Sequence, residues 1–87
     1  MPRSILVIDD DDLTREVLAL LLEDAGWTVW TDAAGEDALA RIAAGGLPEV
    51  VLTDLQMPGL CGEPLAEALR ASLPASTRIM ALSLIHI

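Results

Sequence analysis

Short apolar runs of strand length alternate with segments of helical periodicity along the 87-residue chain. The runs lie at residues 4–8, 27–31, 50–53 and 77–82, and the first of them is continuous, as is typical of a strand buried on both faces. Helical spacing of apolar residues marks the segments that start near Leu13, Gly35 and Pro64. The order βαβαβαβ predicts an α/β fold with a parallel sheet, right-handed crossovers and flanking helices.

Capping and turn residues support these boundaries. An aspartate is placed to cap the first helix, and Gly26 to end it. Pro64 suits the first turn of the third helix, and Pro74 stops that helix. On the second helix, the predicted buried stripe consists of Ala38, Leu39, Ile42 and Ala43. The length predicts one small domain without a linker or repeat.

The formal net charge of -9 limits the function classes. A domain this acidic, with no basic stripe, is a poor candidate for binding nucleic acid or an anionic membrane. The single cysteine, Cys61, excludes an internal disulfide and suits a reducing compartment. No apolar run reaches membrane-spanning length, and the start of the chain lacks a signal-peptide layout. A cytoplasmic protein is expected.

Carboxylates follow two of the predicted strands at the point where each strand ends. Asp9 and Asp10 follow the first strand, and Asp54 ends the third, just before the loop at Pro58 and Gly59. If the two strands are neighbours in a parallel sheet, their carboxyl ends meet in one crevice. Three close carboxylates repel one another unless a cation lies among them, and Mg²⁺ prefers such oxygen ligands. The sequence therefore predicts a magnesium site that could assist phosphoryl transfer to a carboxylate.

Four motifs resemble one known family: ILVIDD at 5–10, TDLQMPG at 53–59, Gly62 before the third helix, and MALS at 80–83. The chain resembles the receiver domain of two-component response regulators, with its CheY-like, flavodoxin-like fold. The resemblance implies a signalling domain that is not an enzyme, beyond self-phosphorylation and self-dephosphorylation. It implies a sensor histidine kinase as partner, and an output domain or downstream protein outside this chain.

The same resemblance assigns roles to individual residues. Asp54 is expected to be the phosphoacceptor, and Asp10 and Asp54 to hold Mg²⁺ directly. Asp9 is expected to act mainly through water, and Gln56 to offer its backbone carbonyl. Ser83 stands where the family has a switch hydroxyl.

The chain departs from the family pattern in two places. Cys61 stands where an aspartate is usual. The family also continues with another helix, a fifth strand that ends in a phosphoryl-binding lysine, and a last helix, whereas this sequence contains no lysine. Residues 1–81 are therefore interpreted as a partial receiver domain, and weak or absent switching is expected. The tail at 82–87, LSLIHI, resembles the translation of a sequencing adaptor and is a candidate non-native segment.

Two other interpretations stay open at this point. A phosphohydrolase of the haloacid dehalogenase type would use the DxDxT pattern of Asp10, Asp12 and Thr14. A receiver-like interaction fragment would never take phosphate. Asp11 and Asp12 are favoured as helix-capping residues, and Cys61 as an inert thiol.

Overall fold

The computed structural model describes residues 3–54 and 56–82, and of Leu82 only the backbone. Seven elements follow one another in the predicted order, with boundaries within a residue or two of those expected. They are β1 (Arg3–Ile8), α1 (Asp12–Asp24), β2 (Trp27–Asp32), α2 (Gly35–Ala43), β3 (Val50–Asp54), α3 (Gly62–Ser72) and β4 (Arg78–Leu82).

The four strands form one parallel sheet in the order β2-β1-β3-β4. β1 therefore lies between β2 and β3, with Ile5 opposite Val29 on one side and Val50 on the other. A helix joins each strand to the next one along the chain, because parallel strands need a crossover connection. The prediction of a flavodoxin-like, CheY-like α/β fold is confirmed for the described residues.

The face of the sheet under α2 and α3 holds the main hydrophobic core. Leu6 and Ile8 of β1 and Val51 of β3 pack there against both helices. From the helices the core receives Ala38, Ile42, Leu65, Leu69 and Leu73. The prediction for α2 is confirmed at Ala38 and Ile42, and Leu39 is partly buried against the core. It is wrong at Ala43, which is exposed in the last turn of the helix.

The opposite face carries α1, which packs on β1 and β2. Four apolar residues of α1 are largely exposed: Leu13 (67%), Val17 (45%), Leu20 (68%) and Leu21 (63%). Within the described ranges, no helix covers β3 and β4 on this face.

Capping accounts for where α1 starts. Asp11 is its N-cap residue, and the Asp11 carboxylate accepts a hydrogen bond from the Thr14 backbone N–H at 2.9 Å. Gly26 follows the helix with φ of 99°, a conformation that suits glycine.

None of the helices in the described part of the chain has the length and apolar character needed to span a membrane.

Candidate functional site

Asp9, Asp10 and Asp54 meet at the carboxyl end of the sheet. Because β1 and β3 are adjacent, Asp9 and Asp10 follow β1 beside the last residue of β3, which is Asp54. One carboxylate oxygen from each residue lies within 4.8 Å of the other two. The convergence expected from sequence is therefore present, while the metal-binding role of these residues stays a prediction.

Asp9 is the buried member of this trio, with only 1% of its surface exposed. Its Oδ1 accepts a hydrogen bond from the Asp11 backbone N–H at 2.9 Å. Its Oδ2 is buried and has no hydrogen-bond partner among the residues that the structure describes. Burial raises the pKa of Asp9 above its ordinary value, and the neighbouring Asp54 and Asp10 add to this rise, although the hydrogen bond from Asp11 opposes it. The trio thus contains one buried carboxylate oxygen without a hydrogen-bond partner in the described part of the chain.

Asp54 is held in place from both sides along the chain. It is half-buried at the end of β3, and its Oδ1 accepts a hydrogen bond from the Gln56 backbone N–H at 3.1 Å. The Thr53 hydroxyl donates to the Asp54 carbonyl at 3.1 Å. These contacts fix the orientation of the Asp54 carboxylate toward the crevice that it shares with Asp9 and Asp10.

The loop after Asp54 is anchored on α2 and on the core. Met57 is buried in the core. Gly59 has φ of 78°, and the Leu60 N–H approaches Glu36 Oε2 at 3.4 Å. A Cβ on Gly35 would lie 2.6 Å from the Leu60 carbonyl oxygen, so α2 and the loop touch through backbone.

The start of α1 supplies a further contact to the acidic trio. Arg15 Nη1 donates to the backbone carbonyl of Asp9 at 2.7 Å, and Arg15 Nη2 pairs with Asp12. Sequence reasoning missed this role of Arg15. The available signal was its spacing of three residues from Asp12 in a first helical turn.

The interpretation of Asp11 as a helix-capping residue is confirmed. The same contacts do not bring Asp12 and Thr14 together with Asp10 as the DxDxT pattern of a phosphohydrolase would require. The hydrogen bond from the Thr14 hydroxyl lowers the pKa of Asp11. Thr14 therefore serves the cap of α1, and the Asp12 side chain is 87% exposed.

The donor set fits a magnesium ion. Three carboxylates supply hard oxygen ligands at one point, and one buried oxygen lacks a partner within the described ranges. Ser83 lies outside the described residues, as does the rest of the tail except Leu82. Cys61 is half-buried at the N-cap of α3, and its side chain makes no capping hydrogen bond.

Known proteins share this arrangement of strands and helices. The chain superimposes on the chemotaxis response regulator CheY4 of Vibrio cholerae with a TM-score of 0.83 and 30% identity, covering 93% of this chain and 68% of that one. It superimposes on the solution structure of the beryllofluoride-activated NtrC receiver domain with a TM-score of 0.82 and 31% identity, covering 95% of this chain and 65% of that one.

Sequence comparison gives the same result. The transcriptional regulatory protein FixJ of Azorhizobium caulinodans is 40% identical over 76 residues, which cover 82% of this chain and 34% of FixJ. The chain spans about a third or less of the length of several such relatives. Residues 5–86 match the family described as the response regulator receiver domain, and the chain therefore belongs to that family.

Proposed function

We propose that Asp54 accepts a phosphoryl group from a histidine kinase with the assistance of Mg²⁺. The observation that carries the proposal is the meeting of Asp54 with Asp10 and the buried Asp9, whose Oδ2 has no hydrogen-bond partner in the described part of the chain. Such a trio is electrostatically unfavourable alone and becomes favourable around a divalent cation.

The proposed reaction moves one phosphoryl group between two side chains. A carboxylate oxygen of Asp54 forms a bond to phosphorus, while the bond from phosphorus to the imidazole nitrogen of a phosphohistidine breaks. The imidazole keeps the electron pair of the broken bond and takes a proton from solvent. Asp54 suits the role of nucleophile because it is half-buried, oriented by Gln56 and placed at the carboxyl end of β3.

The chain's own residues divide the work of cation binding. Asp10 and Asp54 would hold Mg²⁺ directly, Asp9 would hold it through water, and Gln56 would offer its backbone carbonyl. When bound, the ion neutralises charge on the transferred phosphoryl oxygens. Arg15 donates a hydrogen bond to the backbone carbonyl of Asp9 and so helps to hold Asp9 in position at the site.

The outcome of phosphorylation is a change in the population of two conformations of the domain. FixJ carries the name of a transcriptional regulatory protein. For this chain we infer, in the same way, an output domain or downstream partner outside the described residues, in a cytoplasmic signalling pathway. Binding of nucleic acid by the receiver itself is not expected at a net charge of -9.

We also infer that phosphorylation of these 87 residues is weak. No lysine stands among these 87 residues, whose five basic residues are all arginines. Within these residues, a phosphoryl group on Asp54 would be stabilised by Mg²⁺ and by backbone donors, which is a weaker arrangement than a site with an added cation.

The test uses acetyl phosphate as a small phosphodonor with Mg²⁺, followed by intact-mass spectrometry. One added phosphoryl group is expected in the wild type, and none in Asp54→Asn. Asp37→Asn is a matched control because it removes the same charge from an exposed residue in the first turn of α2 that is not one of the three converging carboxylates. Absence of the added mass in a labelling reaction run with Mg²⁺ chelated would support the metal role.

Two results would overturn the proposal. Equal labelling of the wild type and Asp54→Asn would place the phosphoryl group elsewhere. No labelling of the wild type, together with no beryllofluoride binding, would favour the alternative of a receiver-like interaction module.

A further inference from the structure

Asp9 is held by its backbone as well as by its side chain. Its N–H donates to the carbonyl of Asp32 at 3.1 Å, just beyond the last paired residues of β1 and β2. Its own carbonyl accepts from Arg15 Nη1 at 2.7 Å. Because Asp10 follows directly, a shift of the Asp9 peptide also moves the Asp10 carboxylate. The places of two of the three converging carboxylates therefore depend on where the end of β2 lies.

The end of β2 is a position where fraying is expected. In the described sheet β2 pairs with β1 alone, and Asp32 is its last residue. Backbone hydrogen bonds at the end of an edge strand open locally more easily than those inside a sheet. Asp32 is nevertheless well enclosed, because its side chain is only 12% exposed. The contact that encloses it comes from α2.

Arg41, in the last turn of α2, pairs with Asp32 through two hydrogen bonds. Its Nε donates to Asp32 Oδ2 at 2.9 Å and its Nη2 to Asp32 Oδ1 at 3.2 Å, which fixes the relative orientation of the two groups. Nη2 also approaches the Thr31 carbonyl at 3.5 Å, and the guanidinium carbon lies 5.9 Å from the centre of the Trp30 ring. Arg41 thus contacts the last three residues of β2.

The Arg41 side chain is itself packed in place. The Gly46 N–H donates to the Arg41 carbonyl at 2.9 Å, and a Cβ on Gly46 would lie 2.9 Å from Arg41 Cγ. The backbone after α2 therefore packs against the aliphatic part of Arg41. A side chain held in this way loses less conformational entropy when it pairs, so it holds its partner more firmly than a mobile surface residue does.

We propose that Arg41 and Asp32 are positioning residues of the Mg²⁺ site, and that they act through the backbone of Asp9. The ion pair fixes Asp32, the Asp32 carbonyl fixes the Asp9 N–H, and the Asp9 peptide sets the places of the Asp9 and Asp10 carboxylates. Metal ligands need such support, since a displacement of about 0.5–1 Å already weakens a site. The inference rests on the proposed function of the acidic trio.

A purely electrostatic role would give a different result for Arg41. Arg41 is positively charged, so its removal would strengthen cation binding if only long-range attraction mattered. Removal of the negatively charged Asp32 would weaken it. Positioning predicts instead that loss of either residue weakens Mg²⁺ binding. It also predicts that loss of both is no worse than loss of one, because each change breaks the same contact.

The first measurement is the Mg²⁺ affinity by isothermal titration calorimetry. Arg41→Met and Asp32→Ala should each raise Kd about tenfold, which is the low end of the range for residues that support metal ligands. The double variant should resemble either single variant. Arg70→Met is the matched control, because Arg70 is an exposed arginine in the last turn of α3, and this change should leave Kd unchanged.

The second measurement is amide hydrogen exchange by NMR without Mg²⁺, which follows the Asp9 N–H directly. Arg41→Met and Asp32→Ala should speed exchange at Asp9 by about tenfold or more, because the end of β2 then opens locally. Exchange at Leu6, in the middle of β1, should change less. An ion pair that served only the stability of the whole domain would speed both amides equally.

A milder variant covers the case in which Arg41→Met does not fold. Arg41→Lys keeps the charge but loses the two-pronged contact, and it should still weaken Mg²⁺ binding. Tighter or unchanged binding in the Arg41 variants would overturn the proposal, as would equal acceleration at Asp9 and Leu6. A wild type without Mg²⁺ affinity would contradict the proposed function, and exchange at Asp9 would then decide whether Arg41 and Asp32 position this backbone.

Discussion

The helices on the two faces of the sheet differ in how deeply their leucines are buried. Leu65 and Leu69 of α3 are fully buried, whereas Leu13 and Leu20 of α1 are 67% and 68% exposed. Both sets repeat at helical spacing, so the pattern alone does not separate them. The difference shows that, among the described residues, the helices α2 and α3 supply the hydrophobic core, while the apolar side chains of α1 at these positions contribute little to it.

The largest effect expected from this difference is on unfolding. Leu65→Ala should lower the free energy of unfolding by about 3 kcal/mol, because it removes a fully buried side chain and leaves a cavity. Leu13→Ala should cost less than about 1 kcal/mol, because the Leu13 side chain is 67% exposed. Urea denaturation of both variants measures the contrast, and equal losses would contradict it.

A smaller effect is expected where the core meets the loop of the site. Gly35→Ala should cost about 2 kcal/mol, since the added Cβ would meet the Leu60 carbonyl oxygen at 2.6 Å and a Leu65 methyl group at 2.9 Å. Labelling by acetyl phosphate should slow as the loop after Asp54 shifts. Gly46→Ala is the comparison variant and should cost less, because its added Cβ would meet Arg41 Cγ at 2.9 Å and the Arg41 carbonyl oxygen at 3.1 Å, which is a longer backbone contact than the 2.6 Å at Gly35.

At the carboxyl end of the sheet, removal of the negative charge of Asp9 should stabilise the protein. Without Mg²⁺, Asp9→Asn should raise the free energy of unfolding at neutral pH by about 1 kcal/mol, because a buried and partly unpaired carboxylate becomes neutral. The same variant should lose most of the thermal stabilisation that Mg²⁺ gives the wild type. A destabilised variant with an unchanged response to Mg²⁺ would contradict the site.

The pH dependence of this effect has a definite sign. The pKa of Asp9 is raised in the folded state, so the wild type is favoured below the ordinary Asp value of about 3.9 and loses stability as pH rises through the folded pKa. The advantage of Asp9→Asn should therefore shrink at acid pH. Denaturation curves at several pH values, without divalent ions, measure it.

The smallest effect is expected at the cap of α1. The pKa of Asp11 is lowered by the Thr14 hydroxyl, so its cap stabilises the helix above the ordinary Asp value, and that contribution disappears as pH falls through the lower folded pKa. Asp11→Ala should reduce stability slightly near neutral pH and leave it unchanged in strong acid. A loss that is constant over this pH range would contradict the cap.

Sequence was sufficient for the features that depend on local pattern and on topology. Strand continuity and helical spacing gave the seven elements, and the adjacency of β1 and β3 placed Asp9 and Asp10 beside Asp54. These predictions needed only rules for parallel sheets.

Other features depend on three-dimensional contacts that spacing does not encode. The unpartnered Oδ2 of Asp9 and the contact of Gly35 with the Leu60 carbonyl became visible only with coordinates. The exposure of Leu13 and Leu20 is of the same kind, because a helical stripe does not tell whether a second layer covers it.

The central claim, a magnesium-dependent phosphoacceptor at Asp54, is tested most directly by fluorine NMR of beryllofluoride, a mimic of the phosphoryl group. With Mg²⁺ present, a resonance of protein-bound beryllofluoride is expected for the wild type and for Asp37→Asn, and none for Asp54→Asn. A bound resonance that persists in Asp54→Asn, or that forms equally well without Mg²⁺, would contradict the claim.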